Sequence, residues 1–203
     1  MKKYQQDTEQ RIFEAARVIF IRKGMSDARM QEIADEAGIN KSLLHYYFRT
    51  KEKLFDAVFK EAFSQMAPMI NDTFKSDEDI ITKIKIFIEK YIEILKENPH
   101  IPAFVLHELQ KNPTKIVEFI RGQGIAPELI IKQIQKDVKK GIIKPIDPHH
   151  LIVNIISMCI FPFAARPVIQ SLIFKNKKKD YDKFLDERKK EITDFVIKSI
   201  TNK

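Results

Sequence analysis

The chain of 203 residues has one cysteine, five glycines and no tryptophan. A single cysteine cannot form a disulfide within the chain, so the small secreted scaffolds that depend on disulfides are excluded. With five glycines spread along the sequence, we find no glycine-rich loop of the kind that holds phosphates in nucleotide-binding folds. No stretch alternates apolar and polar residues with a period of two, so β-strands are not expected.

Long apolar segments are also missing. The longest, residues 151–165, contains Asn154 and Pro162 and falls short of the ~20 apolar residues that a membrane span needs. Residues 1–7 have no apolar centre of the kind that a secretory leader carries. We therefore expect a cytoplasmic protein that does not enter a membrane.

The composition is that of a folded protein with a basic balance. Hydrophobic residues make up 44% of the chain and charged residues 32%, which excludes a disordered chain. The net charge of +8 suits a polyanionic partner. The charge does not single out one region, however, since the first 60 residues hold 12 Lys and Arg against 9 Asp and Glu.

No group of residues has the pattern of a catalytic centre or a metal site. Ser64, Ser157 and Ser171 lack the flanking glycines of a nucleophile elbow. His149 and His150 are adjacent, so on a helix they point about 100° apart and cannot share a metal. We expect no enzymatic activity, no cofactor and no metal, and we interpret Cys159, in an apolar run, as a buried core residue.

Apolar residues recur at helical spacing along the chain, which predicts an all-α protein. The first helix is predicted over residues 7–23, with Asp7 and Gln10 as a capping box and Gly24 as its end. Thr50 caps a helix predicted to run past Met66 and to act as a lever. Two long helices are predicted at the end of the chain, over residues 147–173 and 181–200.

The most informative stretch is residues 30–48, which predicts two short helices joined by a tight turn. The first helix has an apolar stripe at helical spacing, made of Met30, Ile33, Ala34 and Ala37. Gly38 ends it, because glycine adopts the left-handed conformation at no steric cost. Asn40 caps the second helix, and Leu44 and Phe48 hold that helix against the first.

The other side of the second helix is left open to a partner. It carries Lys41, Ser42, His45 and Tyr46. A short helix with an apolar back and a polar, aromatic front is how a helix-turn-helix protein enters the major groove of DNA.

Residues 12–59 resemble the DNA-binding domain of the TetR family of bacterial transcription regulators. The matching segments are Ile12-Phe13-Glu14-Ala15-Ala16, Phe20, Lys23-Gly24, Glu32-Ile33-Ala34, Ala37-Gly38-Ile39 and Leu44-His45-Tyr46-Tyr47-Phe48-Arg49-Thr50-Lys51-Glu52. The residue that opens the second helix is usually Thr in this family. Here the matching residue is Arg29, which leaves Ser26 or Asp27 as the helix cap and Arg29 free to reach DNA.

The resemblance implies a three-helix DNA-binding domain in residues 1–50 and a larger helical domain for effector binding and dimerisation in residues 51–203. It implies a ligand-responsive regulator, more often a repressor than an activator. Tyr46 and Tyr47 match aromatic positions that often hold phosphates in the family, and Lys51 lies at a helix N-terminus, which favours anions. The expected DNA contacts are Arg29, Lys41, Ser42, Leu43, His45, Tyr46, Tyr47 and Lys51.

The expected partners are a near-palindromic double-stranded operator, a second copy of the chain and a small apolar effector. Candidate effector contacts are Phe104, His107, Phe119, Met158 and Phe161. A homodimer is expected through the last two long helices, with an apolar stripe of Leu185, Ile192, Phe195, Val196 and Ile200. Two alternatives remain: a constitutive DNA-binding regulator or chromosome organiser without an effector, and a helical carrier or enzyme that retains the DNA-binding head.

Overall fold

A computed structural model of the chain describes residues 2–99, 101–111 and 113–201, with the side chains of residues 2–6, 62 and 107 left out. The described residues form twelve α-helices and no β-strand, so the predicted all-α fold is confirmed. The helices are α1 (Lys2–Asp27), α2 (Met30–Glu36), α3 (Lys41–Tyr47), α4 (Lys51–Phe63), α5 (Met66–Lys75), α6 (Ile80–Glu97), α7 (Ile101–Lys111), α8 (Pro113–Gly122), α9 (Pro127–Lys139), α10 (Pro148–Ala164), α11 (Arg166–Leu172) and α12 (Lys178–Ile200).

The helices form two compact units. Unit 1 contains Met1–Ser64 together with Ala103–Ile116, and unit 2 contains Gln65–Pro102 together with Val117–Lys203. Unit 1 is therefore larger than the DNA-binding domain of residues 1–50 predicted from the sequence. It includes α4 and a segment that lies far along the chain. The functional boundary at residue 50 stays a prediction.

In unit 1, α1 packs against both α2 and α4, and α2 packs against α3. α1 buries one side in the core of the unit, with Ile12, Ala16, Ile19 and Phe20 among its buried residues. The helix already begins at Lys2, so the predicted start at Asp7 with a capping box is wrong. Its geometry breaks at Gly24, and one further turn carries it to Asp27.

The predicted lever helix is two helices. α4 ends at Phe63 and α5 begins at Met66. The cause is Pro68, which has no N–H to donate to the carbonyl of Ser64 and whose ring clashes with that carbonyl in a continuous helix. Ser64 ends α4 by donating its hydroxyl to Glu61 O at 2.7 Å.

Unit 2 is built around α6, which packs against α5, α10 and α12. α6 is buried on more than one face, and Asp79 is its N-cap. Two charged residues lie in the core and serve helix ends. Lys83 Nζ donates to Phe74 O near the end of α5, and Asp137 Oδ2 accepts the first amide of α6 from Ile80 at 2.9 Å.

Proline disfavours the interior of a helix, yet α10 contains Pro162 and continues to Ala164. Pro162 leaves the carbonyl of Met158 without its helical donor. Arg188 Nη2 donates to that carbonyl at 3.2 Å, and Tyr181 donates its hydroxyl to Pro162 O at 2.7 Å. The chain bends after α10, at Arg166-Pro167, where α11 begins.

Among the described residues, no single helix has the length and apolar composition of a membrane span. α10 and α11 satisfy both criteria only as a pair, and that pair is bent by 70°.

Cys159 lies on α10 and is fully buried. Burial raises the pKa of its thiol to about 12, because the charged thiolate loses its hydration. The charge of Arg188 acts in the opposite direction and does not cancel this effect. The structure therefore places the cysteine in the core, as the apolar run predicts.

We expect Cys159 to be unreactive in the folded protein. With a pKa of about 12, fewer than about one thiol in a thousand is ionised at pH 8. A chromogenic disulfide reagent should modify the native chain far more slowly than the same chain in guanidinium chloride. Equal rates in the two conditions would show that the thiol is accessible in the native state.

Candidate nucleic-acid interface

The turn between α2 and α3 is built around Gly38. Its φ of 63° lies in the left-handed region that residues with a side chain rarely adopt. In this conformation the Gly38 amide donates to Asp35 O at 3.1 Å, and the Ile39 amide donates to Ala34 O at 3.0 Å. These bonds satisfy the last carbonyls of α2. The predicted end of the first short helix at Gly38 is confirmed.

Arg11 on α1 holds this turn from behind. Its Nη2 donates to Ala37 O at 2.5 Å and to Gly38 O at 3.3 Å. A Cβ atom on Gly38 would lie 2.9 Å from the same nitrogen. The guanidinium therefore occupies the space that a larger residue at position 38 needs. Sequence patterns did not indicate Arg11, because its partners are backbone carbonyls 26 and 27 residues away.

α3 is anchored on one side and open on the other. Asn40 caps it as predicted, accepting the Leu43 amide at 2.7 Å. Leu44 is fully buried, and the half-buried Phe48 meets Phe13 edge to face with ring centres 5.6 Å apart. Lys41, Ser42, His45 and Tyr46 are exposed, and Leu43 and Tyr47 are half-buried.

The structure places two of these side chains against neighbours. His45 Nδ1 lies 3.3 Å from Arg49 O, so when this nitrogen carries the proton it donates to the carbonyl and leaves Nε2 as an acceptor. The rings of Tyr46 and Tyr47 meet edge to face with centres 5.6 Å apart. Tyr46 is 75% exposed, which leaves its hydroxyl free to reach a phosphate.

The start of α2 is formed by Arg29 itself. Its amide donates to the Glu32 carboxylate at 3.3 Å, and Lys23 Nζ reaches the same carboxylate at 2.7 Å. The bond from Lys23 and the Arg29 amide hold the pKa of Glu32 below its usual range. The prediction that Ser26 or Asp27 caps α2 is wrong, because both lie in the last turn of α1.

Lys51 is the first residue of α4. Thr50 caps this helix, as predicted, and its side chain accepts the Lys53 amide at 3.2 Å. Lys51 Nζ donates to Ser26 O and to Ala28 O, at 2.9 Å each. The ammonium therefore sits against the connection that leads into Arg29. An ammonium has three donors, so one remains for a phosphate.

Unit 1 also contains residues that sequence patterns did not assign to the DNA-binding region. The ring of Phe104 packs between Phe55 and Phe59, with centres 5.4 and 5.5 Å away. Glu108 is fully buried, and its carboxylate accepts the Met25 amide at 2.9 Å. Two surface ion pairs join the same segment to the rest of the unit, Lys111–Asp27 and Lys115–Asp56. The segment is distant in sequence, so no local periodicity indicates these contacts.

The candidate effector contacts fall into different parts of the fold. Phe104 belongs to unit 1, and the side chain of His107 lies outside the described residues. Phe119 and Met158 are half-buried in unit 2, and Phe161 is 62% exposed on α10. Their role in binding an effector stays a prediction.

These features define a helix-turn-helix DNA-binding protein, since a short helix with a buried back is presented by a rigid turn. Known proteins identify the family. Residues 12–58 match the family described as bacterial regulatory proteins, tetR family. Residues 62–203 match the C-terminal region of YcdC-like proteins. The chain therefore belongs to the tetR family of bacterial regulatory proteins.

Individual relatives agree with this assignment. The transcriptional regulator RutR of Escherichia coli (strain K12) is 31% identical over 145 residues, which span 70% of this chain and 66% of RutR. The hemolysin II transcriptional regulator HlyIIR has a solved structure that is 25% identical, with a TM-score of 0.66 over 98% of this chain and 99% of HlyIIR. AibR, solved with isovaleryl coenzyme A and operator DNA, is 17% identical, with a TM-score of 0.61 over 77% of this chain and 85% of AibR.

The turn suggests a test with a matched control. Gly38 and Gly141 both have positive φ, of 63° and 70°, but a Cβ on Gly141 meets nothing within 4 Å. Gly141→Ala should therefore lower the free energy of unfolding by about 1–2 kcal/mol through backbone strain alone. Gly38→Ala should cost about 1 kcal/mol more, because Arg11 must give up its bonds to the turn. Urea unfolding of both variants measures the difference, and equal losses would show that Arg11 does not restrict residue 38.

Proposed function

We propose that the protein is a DNA-binding transcription regulator that binds a near-palindromic operator as a homodimer. The observation that carries this function is α3, which rests on the fully buried Leu44 and exposes Lys41, Ser42, His45 and Tyr46. A helix of this size fits the major groove, where each base pair presents a distinct set of donors and acceptors. Such a regulator works in the cytoplasm, where the bacterial chromosome lies.

The proposed contacts divide into those that position the protein and those that read sequence. Arg29, Lys51, Tyr46 and Tyr47 contact phosphates, which fixes the register of α3 on the duplex. Lys41, Ser42 and His45 face base edges from the first turns of α3, and half-buried Leu43 offers an apolar contact. Footprinting on DNA upstream of the protein's own gene, followed by binding assays on the protected site, tests this function. Protection without sequence preference would argue against a regulator.

His45→Ala tests the assignment of a base-reading residue. Removing one good base contact should cost about 1–3 kcal/mol at the base pair that His45 reads and should leave binding to random DNA unchanged. Binding to a set of operators with single base changes measures this, because the variant should lose discrimination at one position in each half-site. An equal loss on every duplex would instead place His45 among the phosphate contacts.

Recognition of two half-sites needs two copies, and we propose that α10 and α12 form the dimer face. The predicted interface stripe on α12 divides in the structure: Leu185, Ile192, Val196 and Ile200 are buried in their own chain, whereas Phe195 is 66% exposed. On α10, the exposed large apolar residues are Val153, Ile156 and Phe161. An open groove of about 310 Å³ runs between the two helices, and Asn154, Ser157, Met158 and Phe195 are among its lining residues.

This face supports a dimer for two reasons. The exposed apolar side chains of α10, together with Phe195, form a surface whose burial is favourable. Two pairs of such helices can also close into a four-helix interface with a two-fold axis. The axis then places two copies of α3 in successive major grooves, about 34–36 Å apart.

A charge at the centre of this face should separate the subunits. Phe195→Glu introduces a carboxylate that must lose its hydration in the dimer, so we expect a folded monomer with weak operator binding. Leu129→Glu is the matched control, since Leu129 is 52% exposed on α9, a helix that is not part of the proposed face. Light scattering at micromolar concentration measures the mass. A native chain that is already monomeric at this concentration would contradict the two-groove mechanism.

We further propose that the regulator is a repressor released by a small apolar effector bound in residues 51–203. AibR was solved in complex with isovaleryl coenzyme A and operator DNA, so a protein of this fold binds a small molecule as well as DNA. An effector acts by preferring a conformation in which the two α3 helices do not fit successive grooves. Candidate contacts are Phe104, His107, Phe119, Met158 and Phe161. The alternative is a constitutive regulator, whose operator affinity no small apolar compound would change.

A further inference from the structure

The last turn of α1 is separated from the rest of the helix by Gly24. Gly24 has φ 73° and ψ 172°, so helical geometry stops there and starts again at the next residue. The new turn is closed by the Ala28 amide, which donates to Gly24 O at 3.2 Å. A turn of helix begins with amides that have no helical partner, and an N-cap side chain normally accepts from them. Gly24 stands at that position and has no side chain.

Glu108 supplies the missing acceptor from another helix. Its carboxylate oxygen accepts the Met25 amide at 2.9 Å, across 83 residues of sequence. Glu108 is fully buried, which makes this contact part of the core of unit 1 rather than a surface pair. A carboxylate that accepts a backbone amide at a helix start is among the stronger hydrogen bonds in proteins.

The other end of the same turn is held by Lys51. Its Nζ donates to the carbonyls of Ser26 and Ala28. A negative group at the start of the turn and a positive group at its end match the partial charges of helix termini. The residue that follows is Arg29, the exposed N-cap of α2. The position of this turn therefore determines where α2 begins and where Arg29 projects.

We propose that Glu108 is a positioning residue for DNA recognition. It acts as an N-cap from a distant part of the chain and holds the turn of α1 that follows Gly24. It thereby fixes the phosphate contacts made at the start of α2. Glu108 is buried and does not touch DNA; it acts through the Met25 amide. The proposal rests on the proposed function, since it concerns operator contacts.

A positioning role and a merely structural role differ in the salt dependence of binding. Partial unfolding reduces the active fraction by the same factor at each salt concentration, which leaves the slope of log K against log salt unchanged. The loss of one phosphate contact in each of the two subunits makes that slope shallower by about 1.8. The slope therefore reports whether α2 still meets the DNA backbone in the variant.

The test uses the full-length dimer with three substitutions. Glu108→Ala removes the acceptor, Glu108→Gln keeps an oxygen in the same place, and Gln110→Ala changes an exposed residue on the same helix. Operator affinity is measured across salt concentrations, and amide exchange at Met25 is measured by NMR. We expect Glu108→Ala to bind about 5- to 20-fold more weakly, as an unsatisfied amide predicts, with a slope shallower by about two because both subunits lose a contact. Its Met25 amide should exchange at least about tenfold faster.

Glu108→Gln and Gln110→Ala are the control variants. Glu108→Gln should restore binding to within about twofold of the native chain, because its amide oxygen still accepts the Met25 amide. Gln110→Ala should match the native chain in affinity, slope and exchange. The proposal is overturned if Glu108→Ala keeps the native slope, even with weaker binding, or if the exchange of Met25 does not change.

Failure of the proposed function gives a different result. If the native chain selects no operator, the proposed function is wrong. The salt slopes of the native and Glu108→Ala proteins on a random duplex would still decide the role of Glu108. Arg29→Ala tests whether Arg29 itself makes the phosphate contact that Glu108 is proposed to position. If Arg29→Ala keeps the native slope while Glu108→Ala does not, the phosphate contact belongs to another group at the start of α2 and the positioning role of Glu108 stands.

Discussion

The left-handed backbone of Gly38 is the constraint on which the surface proposed to contact DNA depends. It forms the turn between α2 and α3, and Arg11 donates to the carbonyls of Ala37 and Gly38 in that turn. Leu44 then fixes the rotation of α3 about its own axis by entering the core. With the turn and the rotation fixed, the side chains on the open face of α3 have defined directions before DNA arrives. Such preorganisation lowers the cost of ordering the interface on binding.

Four charged side chains, three of them buried and one half-buried, complete broken helix ends. Glu108 accepts an amide that Gly24 exposes, and Asp137 accepts the first amide of α6. Lys83 donates to a carbonyl near the end of α5, and Arg188 donates to the carbonyl that Pro162 leaves unpaired. A buried backbone group without a partner costs about 1–3 kcal/mol, which is a large share of the stability of a domain. These residues therefore have structural reasons to be where they are, without catalysis.

The chain passes between its two compact units three times. The crossings lie between Ser64 and Gln65, between Pro102 and Ala103, and between Ile116 and Val117. The first coincides with the break that Pro68 imposes after α4, so the helix expected to act as one lever ends at the edge of unit 1. The segment between the other two crossings brings Phe104 and Glu108 into the core of unit 1. Unit 2 is therefore covalently joined to unit 1 at two further points besides the end of α4.

The helical class, the helix-turn-helix and the caps Asn40 and Thr50 follow from the sequence alone, because these depend on local backbone preferences and on apolar spacing within one helix. Gly38 was predictable for the same reason, since its conformation is a property of one residue. Tertiary structure decided which apolar residues face inward on α12, where Val196 is buried and Phe195 is exposed. It also decided the partners of Arg11, Glu108 and Arg188. Their hydrogen bonds join groups that are 26 to 83 residues apart, and packing of the whole chain, rather than any local pattern, brings such groups together.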